Sequence, residues 1–590
     1  MIHLNILKND YLIFTIFASL LAFLGWISYL SALGGFFYSW IFSGFIVLMF
    51  VLLARQILIK KKLSLKISAE FSIILLAILV FSIISSYFAT PTVFSGRDQG
   101  SLSEASIRLS QNHKLEFSTP ESQEFFKIYG TGKALNFPGF YYNPQGQLIT
   151  QFPIGYISWL AVFYSFFGIS GLIIANAVSL FIFLVAFYLL ARIFLKARFA
   201  VFALALATTS FLIFWFFKFT LSENLALMLL WISILQIILF IREKNVFHYF
   251  SFLIPAGLLV FTRIEGIFFL ASGVITMFFL TKKDSFWKEK RKFIIIYPAI
   301  FLLVIFILNF TKDIYFYKEI AKSLLHFGGN GNGENSIVQN IFSELGFEVK
   351  IFYIYGILSF LILGISGIIY FAKNKKWEIL APFFAIVPSL IYLANPWISS
   401  DHPWMLRRYA FSIIPAAILY SVFFLAKWPE DRNKKYLSII SYVVIFLIIV
   451  SNLFIFSFYF TFSENKNLLE KTGEMSNNFK DTDLVLVDRL ASGDAWSMIS
   501  GPMSFIYGKK SVYIFNPEDI KKIDREKFPK IYLIAPNQSI DVYAKSLGKD
   551  KLKFVKEYFI DAERLIPSDS ALVIPRKGKI KNWGGIYEIK

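Results

Sequence analysis

The chain has 590 residues, 56% of them hydrophobic and 19% aromatic, with a mean hydropathy of +0.61. A water-soluble fold of this size could not hide that much apolar surface, whereas a polytopic membrane protein has lipid as its solvent. The absence of cysteine excludes disulfides and thiolate chemistry, and the net charge of +20 resides in short loops between apolar runs, so it reads as membrane topology and not as a nucleic-acid surface.

At roughly 20 apolar residues per span, spans fall near 11–32, 37–58, 69–89, 170–191, 199–217, 223–241, 246–262, 266–281, 293–311, 349–371, 377–395, 409–427 and 436–460, about thirteen in all. The run from Tyr11 to Leu30 lacks a small-residue cleavage site and another span follows at once, so it reads as a retained helix and not a signal peptide. Every even-numbered span exits into basic residues: Arg55 and Lys60–Lys62, Arg192 and Lys196, Arg242 and Lys244, Lys282–Lys292, Lys373–Lys376, and Lys427–Lys435. The positive-inside rule puts those loops and the N-terminus in the cytoplasm. Ile154 to Gly168 is apolar but short, and counting it as a span would turn the Arg192 cluster outward. It is expected to lie at the outer membrane surface or to dip into it.

The outer face then collects the long loops: Thr90 to Pro153, Lys312 to Lys350 with its Gly328–Gly333 glycine-asparagine tract, and Asn395 to Arg408. The tail from Ser463 is richer in charge and carries strand-like runs at Leu484–Val487, Val512–Phe515 and Ile531–Ile534. No glycine-rich phosphate loop opens any of its helices. The expected division is an N-terminal transmembrane hairpin (1–68), a transmembrane catalytic domain (69–462) with outer loop 90–153, and an extracytoplasmic α/β domain (463–590).

On this topology Asp98, Glu104, Lys218, Glu223, Arg263, Glu265, Asp401, His402, Arg407 and Arg408 share the outer ends of spans. Charge at a membrane edge costs free energy, so such residues are functional candidates. Together they suggest an outward-facing cavity with carboxylates to act as base or metal ligand and guanidiniums to grip a phosphate. A phosphorylated lipid would enter it sideways. Plainer roles stay open: Asp98 as a helix cap, Arg263 and Glu265 as a turn-anchoring pair, Arg407 and Arg408 as snorkelling residues, His402 as ordinary surface.

Several short motifs fall in order along this face. Asp98-Gln99-Gly100 is followed by Glu104-Ala105, an apolar helix and Asn112-His113-Lys114-Leu115. Phe152-Pro153-Ile154-Gly155-Tyr156 leads to Phe166-Phe167-Gly168. Thr220-Leu221-Ser222-Glu223 and Thr262-Arg263-Ile264-Glu265-Gly266 come next, and Arg408-Tyr409 precedes Pro415. From about Phe94 to Leu425 the chain resembles GT-C fold glycosyltransferases, which include the protein O-mannosyltransferase and aminoarabinose transferase relatives. It departs from them in having Ile264 where they have proline, two extra leading spans, and a single Asp98 where some carry Asp-Glu.

The resemblance implies a GT-C-like polytopic enzyme that moves a hexose or pentose from a polyprenyl-phosphate donor to a glycan, lipid or protein acceptor on the outer face. Asp98 would be the general base. Glu223 would orient the acceptor, or with Asp98 hold a divalent cation, for which oxygen ligands suit Mg²⁺, Mn²⁺ or Ca²⁺. Arg263, Arg407 and Arg408, with Lys218 behind them, would stabilise the leaving phosphate. Arg97, Gln99, Glu104, Glu265, Asp401, His402 and Tyr409 complete the expected substrate-binding set. The rival readings are a lipid-linked substrate transporter or flippase, for which ionisable groups would sit near the midplane in repeated halves, and a membrane assembly protein.

Overall fold

Long runs of Leu, Ile and Phe can satisfy their backbone in lipid only as helices, and each apolar run expected as a span is helical in the computed structural model. The structure describes residues 8–56, 66–282, 285–289, 292–312, 314, 317, 318, 346–394, 401–568, 570 and 572–590. The Gly328–Gly333 tract therefore lies outside the described residues. Seven helices are long and apolar enough to cross a bilayer alone: Lys8–Gly34, Ala69–Tyr87, Ser170–Phe194, Ser222–Glu243, Lys292–Lys312, Ile413–Arg432 and Lys435–Tyr459. The bent pair Gly346–Ile354 and Ile357–Lys373 makes an eighth. Shorter apolar helices Ser39–Ala54, Ala197–Thr209, Val246–Val260, Gly266–Thr281 and Trp377–Leu393 take the remaining positions. The chain is a multi-pass membrane protein.

Two spans differ from the expected continuous helices. The run 199–217 breaks at Ser210, whose backbone is extended (ψ 124°), and resumes as Phe211–Phe216. Thr208 and Thr209 hydroxyls bond back to Leu204 and Ala205 carbonyls just before the break, the competition with helix propagation that such side chains offer. The run 349–371 turns by 106° at Gly356, which takes φ +70°. A side chain there would be strained and would meet Asn452 Oδ1 at 3.0 Å. The short arm before this bend packs Phe352 against Tyr409. The helix Ile154–Phe167, expected at the membrane surface, is buried along Ile154–Val162 and wedged between Lys8–Gly34, Asp98–Asn112 and Ser170–Phe194.

Ser170–Phe194 and Ser222–Glu243 form the centre of the bundle and are buried along most of their length. Ala69–Tyr87, Lys292–Lys312 and Lys435–Tyr459 lie at its edge and expose Ile73, Leu303 and Phe446, surface that suits lipid tails. The first helix is tied into the bundle by polar contacts: Trp26 Nε1 donates to Ile254 O at 2.8 Å, Tyr29 OH to Asn309 Oδ1 at 2.8 Å, and Gln236 Nε2 to Thr15 Oγ1 at 2.9 Å. Ile357–Lys373 lies closely against Ile413–Arg432 because Gly364 has no Cβ; one would sit 2.9 Å from Ala417 O.

The loop after Ala69–Tyr87 folds into helices Asp98–Asn112 and Pro120–Tyr129 and a small sheet of β1 (Gly132–Lys133), β2 (Phe140–Tyr142) and β3 (Leu148–Thr150). The C-terminal domain holds a five-stranded sheet ordered β5-β4-β6-β8-β7, with β4 (Leu484–Asp488), β5 (Lys510–Ile514), β6 (Ile531–Pro536), β7 (Leu552–Ile566) and β8 (Arg576–Ile589). β4 runs parallel to β5 and β6, and β8 antiparallel to β6 and β7. β4 to β6 match the three expected strand runs; the long β7–β8 ribbon adds to them.

This domain rests on the first loop. Ser95 pairs with Met498 as an isolated bridge, Arg108 Nη2 donates to Ser504 Oγ at 2.7 Å, and Asn136 Nδ2 to Tyr513 O at 2.7 Å. The segment joining β7 to β8 reaches down to the bundle, where Tyr459 OH donates to Pro575 O at 2.6 Å and His402 pairs through its backbone with Ser568.

Candidate active site

The residues that converge under the C-terminal domain come from the ends of separate helices. Asp98 is the first residue of Asp98–Asn112. The N-cap position is Arg97, so Asp98 is not the residue that caps this helix. Asp98 Oδ2 instead accepts from Arg407 Nη2 at 2.6 Å. Arg407 Nε lies 3.5 Å from Glu223 Oε1, in the first turn of Ser222–Glu243. The same Glu223 oxygen is 2.9 Å from Arg263 Nη1, and Arg263 Nε donates to Glu265 Oε1 at 2.5 Å. Tyr392 OH donates to Glu265 as well.

The result is a ladder of alternating charge: Asp98, Arg407, Glu223, Arg263, Glu265. Glu223 is 4% exposed, and its burial is sustainable only because two guanidiniums share it. Arg408 stands at the ladder's side with its guanidinium 5.4 Å over the Tyr392 ring, and among the described residues no carboxylate pairs with it. Its charge is crowded: burial, then Arg263 and later Arg407, hold its pKa below the usual arginine value.

The start of the Asp98 helix is clamped from beneath. Thr92 and Thr220 hydroxyls meet at 2.6 Å, Ser103 Oγ and Thr220 Oγ1 at 2.8 Å, and Thr220 Oγ1 donates to Gln99 O at 2.8 Å. Gly100 packs so closely on Phe94 that a Cβ would lie 1.7 Å from its carbonyl oxygen. Asp98 is thereby set on a rigid support, with a side chain 40% exposed to the cavity above.

That cavity holds about 650 Å³ and is lined by Arg97, Asp98, Gln99, Asp401, Trp404 and Arg407 below. Arg97 is sandwiched between Trp404 and Trp496, 4.9 and 5.1 Å from their ring centres, and Nη2 donates to Asp401 Oδ2 at 3.2 Å. The upper wall belongs to the C-terminal domain: Glu464, Asn465, Asp494, Trp496, Ser497 and Arg564. None of these stands out in the sequence. Charge and tryptophan are ordinary in an aqueous domain, so only their position marks them.

Four expected site residues stand elsewhere. Lys218 Nζ is committed to the end of Lys435–Tyr459, donating to the carbonyls of Tyr459, Phe460 and Phe462 at 3.2, 2.5 and 2.9 Å, so it is turned away from the arginines. His402 is fully buried, its ring bonded to Tyr355 OH at 3.0 Å and Ser570 O at 2.9 Å, where it joins the bundle to the β7–β8 segment. Tyr409 is buried and donates to Tyr392 O at 3.0 Å. Glu104 lies under the C-terminal domain, 3.5 Å from Ser95 Oγ and 3.9 Å from Arg108, and burial pushes its carboxyl up to about 7.

The two candidate metal ligands, Asp98 and Glu223, do not make a cation site as they stand. Arg407 contacts both of them, where a shared cation would have to sit. Among the described residues no group of three or more acid or histidine side chains is placed to hold a metal.

Thirteen apolar helical positions, a folded loop after the third and an α/β domain over that loop make a GT-C-like fold. One comparison with a solved structure supports this fold. The aminoarabinose transferase ArnT from Cupriavidus metallidurans in the apo state aligns over 88% of this chain and 98% of its own, at 11% identity and a TM-score of 0.51. The same protein bound to undecaprenyl phosphate aligns over 88% and 98% at 10% identity with a TM-score of 0.39. The archaeal oligosaccharyltransferase AglB from Archaeoglobus fulgidus, in complex with an inhibitory peptide and a dolichol-phosphate, aligns over 83% of this chain and 74% of its own at 13% identity and a TM-score of 0.43. No protein-family model and no curated protein matches the sequence.

Proposed function

We propose that the protein is a glycosyltransferase that takes a sugar from a polyprenyl-phosphate donor and delivers it to an acceptor in the cavity beside Asp98. The observation that carries this reading is the ladder: three buried or half-buried carboxylates and two guanidiniums brought together from separate helix ends, with a third guanidinium, Arg408, beside them and unpaired with any carboxylate among the described residues. An arginine without a carboxylate partner at the ends of membrane helices suits a phosphate that is tethered in the bilayer.

Asp98 is the general base. An acceptor O–H or N–H gives its proton to the Asp98 carboxylate while the acceptor atom attacks the anomeric carbon. The bond from that carbon to the phosphate oxygen breaks, and its electron pair leaves with the lipid phosphate. Arg408 meets this developing charge, and Arg407 follows as it exchanges Asp98 for phosphate. Glu223 holds Arg263 and Arg407 in register. Arg407 stands between Asp98 and Glu223, where a bridging cation would have to sit, so turnover is expected to survive chelation with EDTA.

The basic loops put the first loop and the C-terminal domain outside the cytoplasm, so transfer takes place on the outer face. The decisive experiment is sugar release from a panel of radiolabelled polyprenyl-phosphate donors in lipid nanodiscs. Asp98→Asn is expected to lower turnover by about 10²- to 10⁴-fold, with donor binding and folding retained because the side chain is half open to the cavity. Equal turnover in wild type and variant would remove Asp98 as base. No turnover and no donor binding across the panel would return the transport and assembly readings.

A further inference from the structure

The upper wall of the cavity contains a guanidinium that its own domain does not use. Arg564 on β7 is 2% exposed and lines the cavity. Among the described residues none of its three guanidinium nitrogens has a hydrogen-bond partner. Its charge is nonetheless balanced: Asp494 Oδ2 lies 3.4 Å from Nε, and Glu464 is the other acid acting on it. Arg564 is therefore short of hydrogen-bond acceptors and not of counter-charge. Leaving a buried guanidinium so is costly unless a ligand completes it.

Two further lining residues have the opposite shortage. Gln99 Oε1 and Asn465 Oδ1 are buried acceptors with no donor among the described residues. An oxyanion could serve Arg564 but would offer nothing to these carbonyl oxygens, and a third negative charge beside Asp494 and Glu464 would be repelled. Hydroxyl groups both donate and accept, so they answer both shortages at once. Trp496 lines the same space with 48% of its surface open, its ring flanked by the Arg97 and Arg489 guanidiniums at 5.1 and 5.3 Å. The volume of about 650 Å³ falls within the range of small-ligand sites.

We infer that the C-terminal domain completes a subsite for a neutral saccharide acceptor, in which Arg564, Gln99 and Asn465 bind its hydroxyls and turn one of them to Asp98. This rests on the proposed role of Asp98 as base. It assigns the acceptor class, and it gives the C-terminal domain a binding task that the bundle alone cannot perform.

The test is saturation-transfer NMR on the full chain in nanodiscs. The probes are neutral disaccharides (cellobiose, maltose, chitobiose), cellobiouronic acid as an anionic counterpart, and a short asparagine-containing peptide. At least one neutral disaccharide is expected to bind wild type, and Arg564→Gln is expected to weaken it about tenfold or more. Arg564→Lys, which keeps the charge beside Asp494 but loses the fork, should weaken it as well, with undecaprenyl-phosphate binding unchanged in both variants and melting temperature unchanged in Arg564→Lys. Three results would overturn the inference: no neutral disaccharide bound, equal binding in wild type and both variants, or Arg564-dependent binding of only the uronic acid or the peptide. Displacement of the disaccharide by a lipid-linked sugar, but not by undecaprenyl phosphate alone, would assign the subsite to the donor's sugar and overturn the acceptor assignment. The glycosyltransferase reading fails separately, through undecaprenyl-phosphate binding that is indifferent to Arg408→Ala.

Discussion

Glu223 carries two arginines on one carboxylate oxygen, and this makes it the residue whose neutralisation should be felt most. Glu223→Gln leaves Arg263 and Arg407 facing each other with one partner fewer inside a buried site. Removing one member of such a buried set typically costs about 3–5 kcal/mol, so thermal unfolding in nanodiscs should shift clearly downward, more than for Asp98→Asn. Glu104 has a different signature. Burial lifts its pKa from 4.5 to about 7, so the native state holds a proton that the unfolded chain has lost. Stability from this group is full below pH 4.5 and is lost as pH rises to about 7, with an upper size of about 3 kcal/mol. Glu104→Gln should flatten the stability profile across that window. A variant with the wild-type slope would count against the assignment. The site's charges, Asp98, Glu223, Arg263, Glu265, Arg407 and Arg408, were legible in the sequence because charge at the end of an apolar span demands a reason. The Arg263–Glu265 pair was legible as a local turn-anchoring contact, but the links of Asp98 to Arg407, Arg407 to Glu223 and Glu223 to Arg263 were not, since they join the ends of separate helices.

At the scale of elements, two glycines decide how helices meet. Gly364→Leu would drive a side chain into the Ala417 backbone and should destabilise the contact between Ile357–Lys373 and Ile413–Arg432 by about 1–3 kcal/mol. Gly356→Ala would strain the left-handed bend (φ +70°), at a cost of about 1 kcal/mol. It should also loosen the arm that packs Phe352 on Tyr409, read as faster amide exchange over 346–354. Helix positions were legible from apolar run length alone, because lipid imposes that length. The breaks at Ser210 and Gly356 were not, since neither position interrupts the apolar run. The β7–β8 ribbon escaped for a related reason. The first half of β7 is exposed on both faces, so no buried-exposed alternation marks it as a strand.

At the scale of the molecule, the position of the C-terminal domain over the first loop places every proposed reacting group on one side of the bundle. Its orientation is open to direct measurement, because the chain has no cysteine of its own. A single cysteine at Lys545, exposed on the C-terminal domain, should react with a membrane-impermeant maleimide on intact cells. One at Lys376, in the basic loop after the bent helix pair, should react only after the membrane is opened. The reverse pattern would invert the topology and the outer-face reading with it.

The sequence by itself determined that the protein is a multi-pass helical bundle, where its spans lie, and which charged residues sit at their ends. These follow from the cost of placing polar groups in hydrocarbon, which acts locally along the chain. Only the tertiary structure decided that Asp98, Arg407, Glu223, Arg263 and Glu265 form one ladder, that Lys218 and His402 serve as structural ties, and that Arg564 from the far end of the chain faces the same cavity. Those are long-range contacts between segments in which each charge is locally ordinary, and their meaning comes from what folding places opposite them.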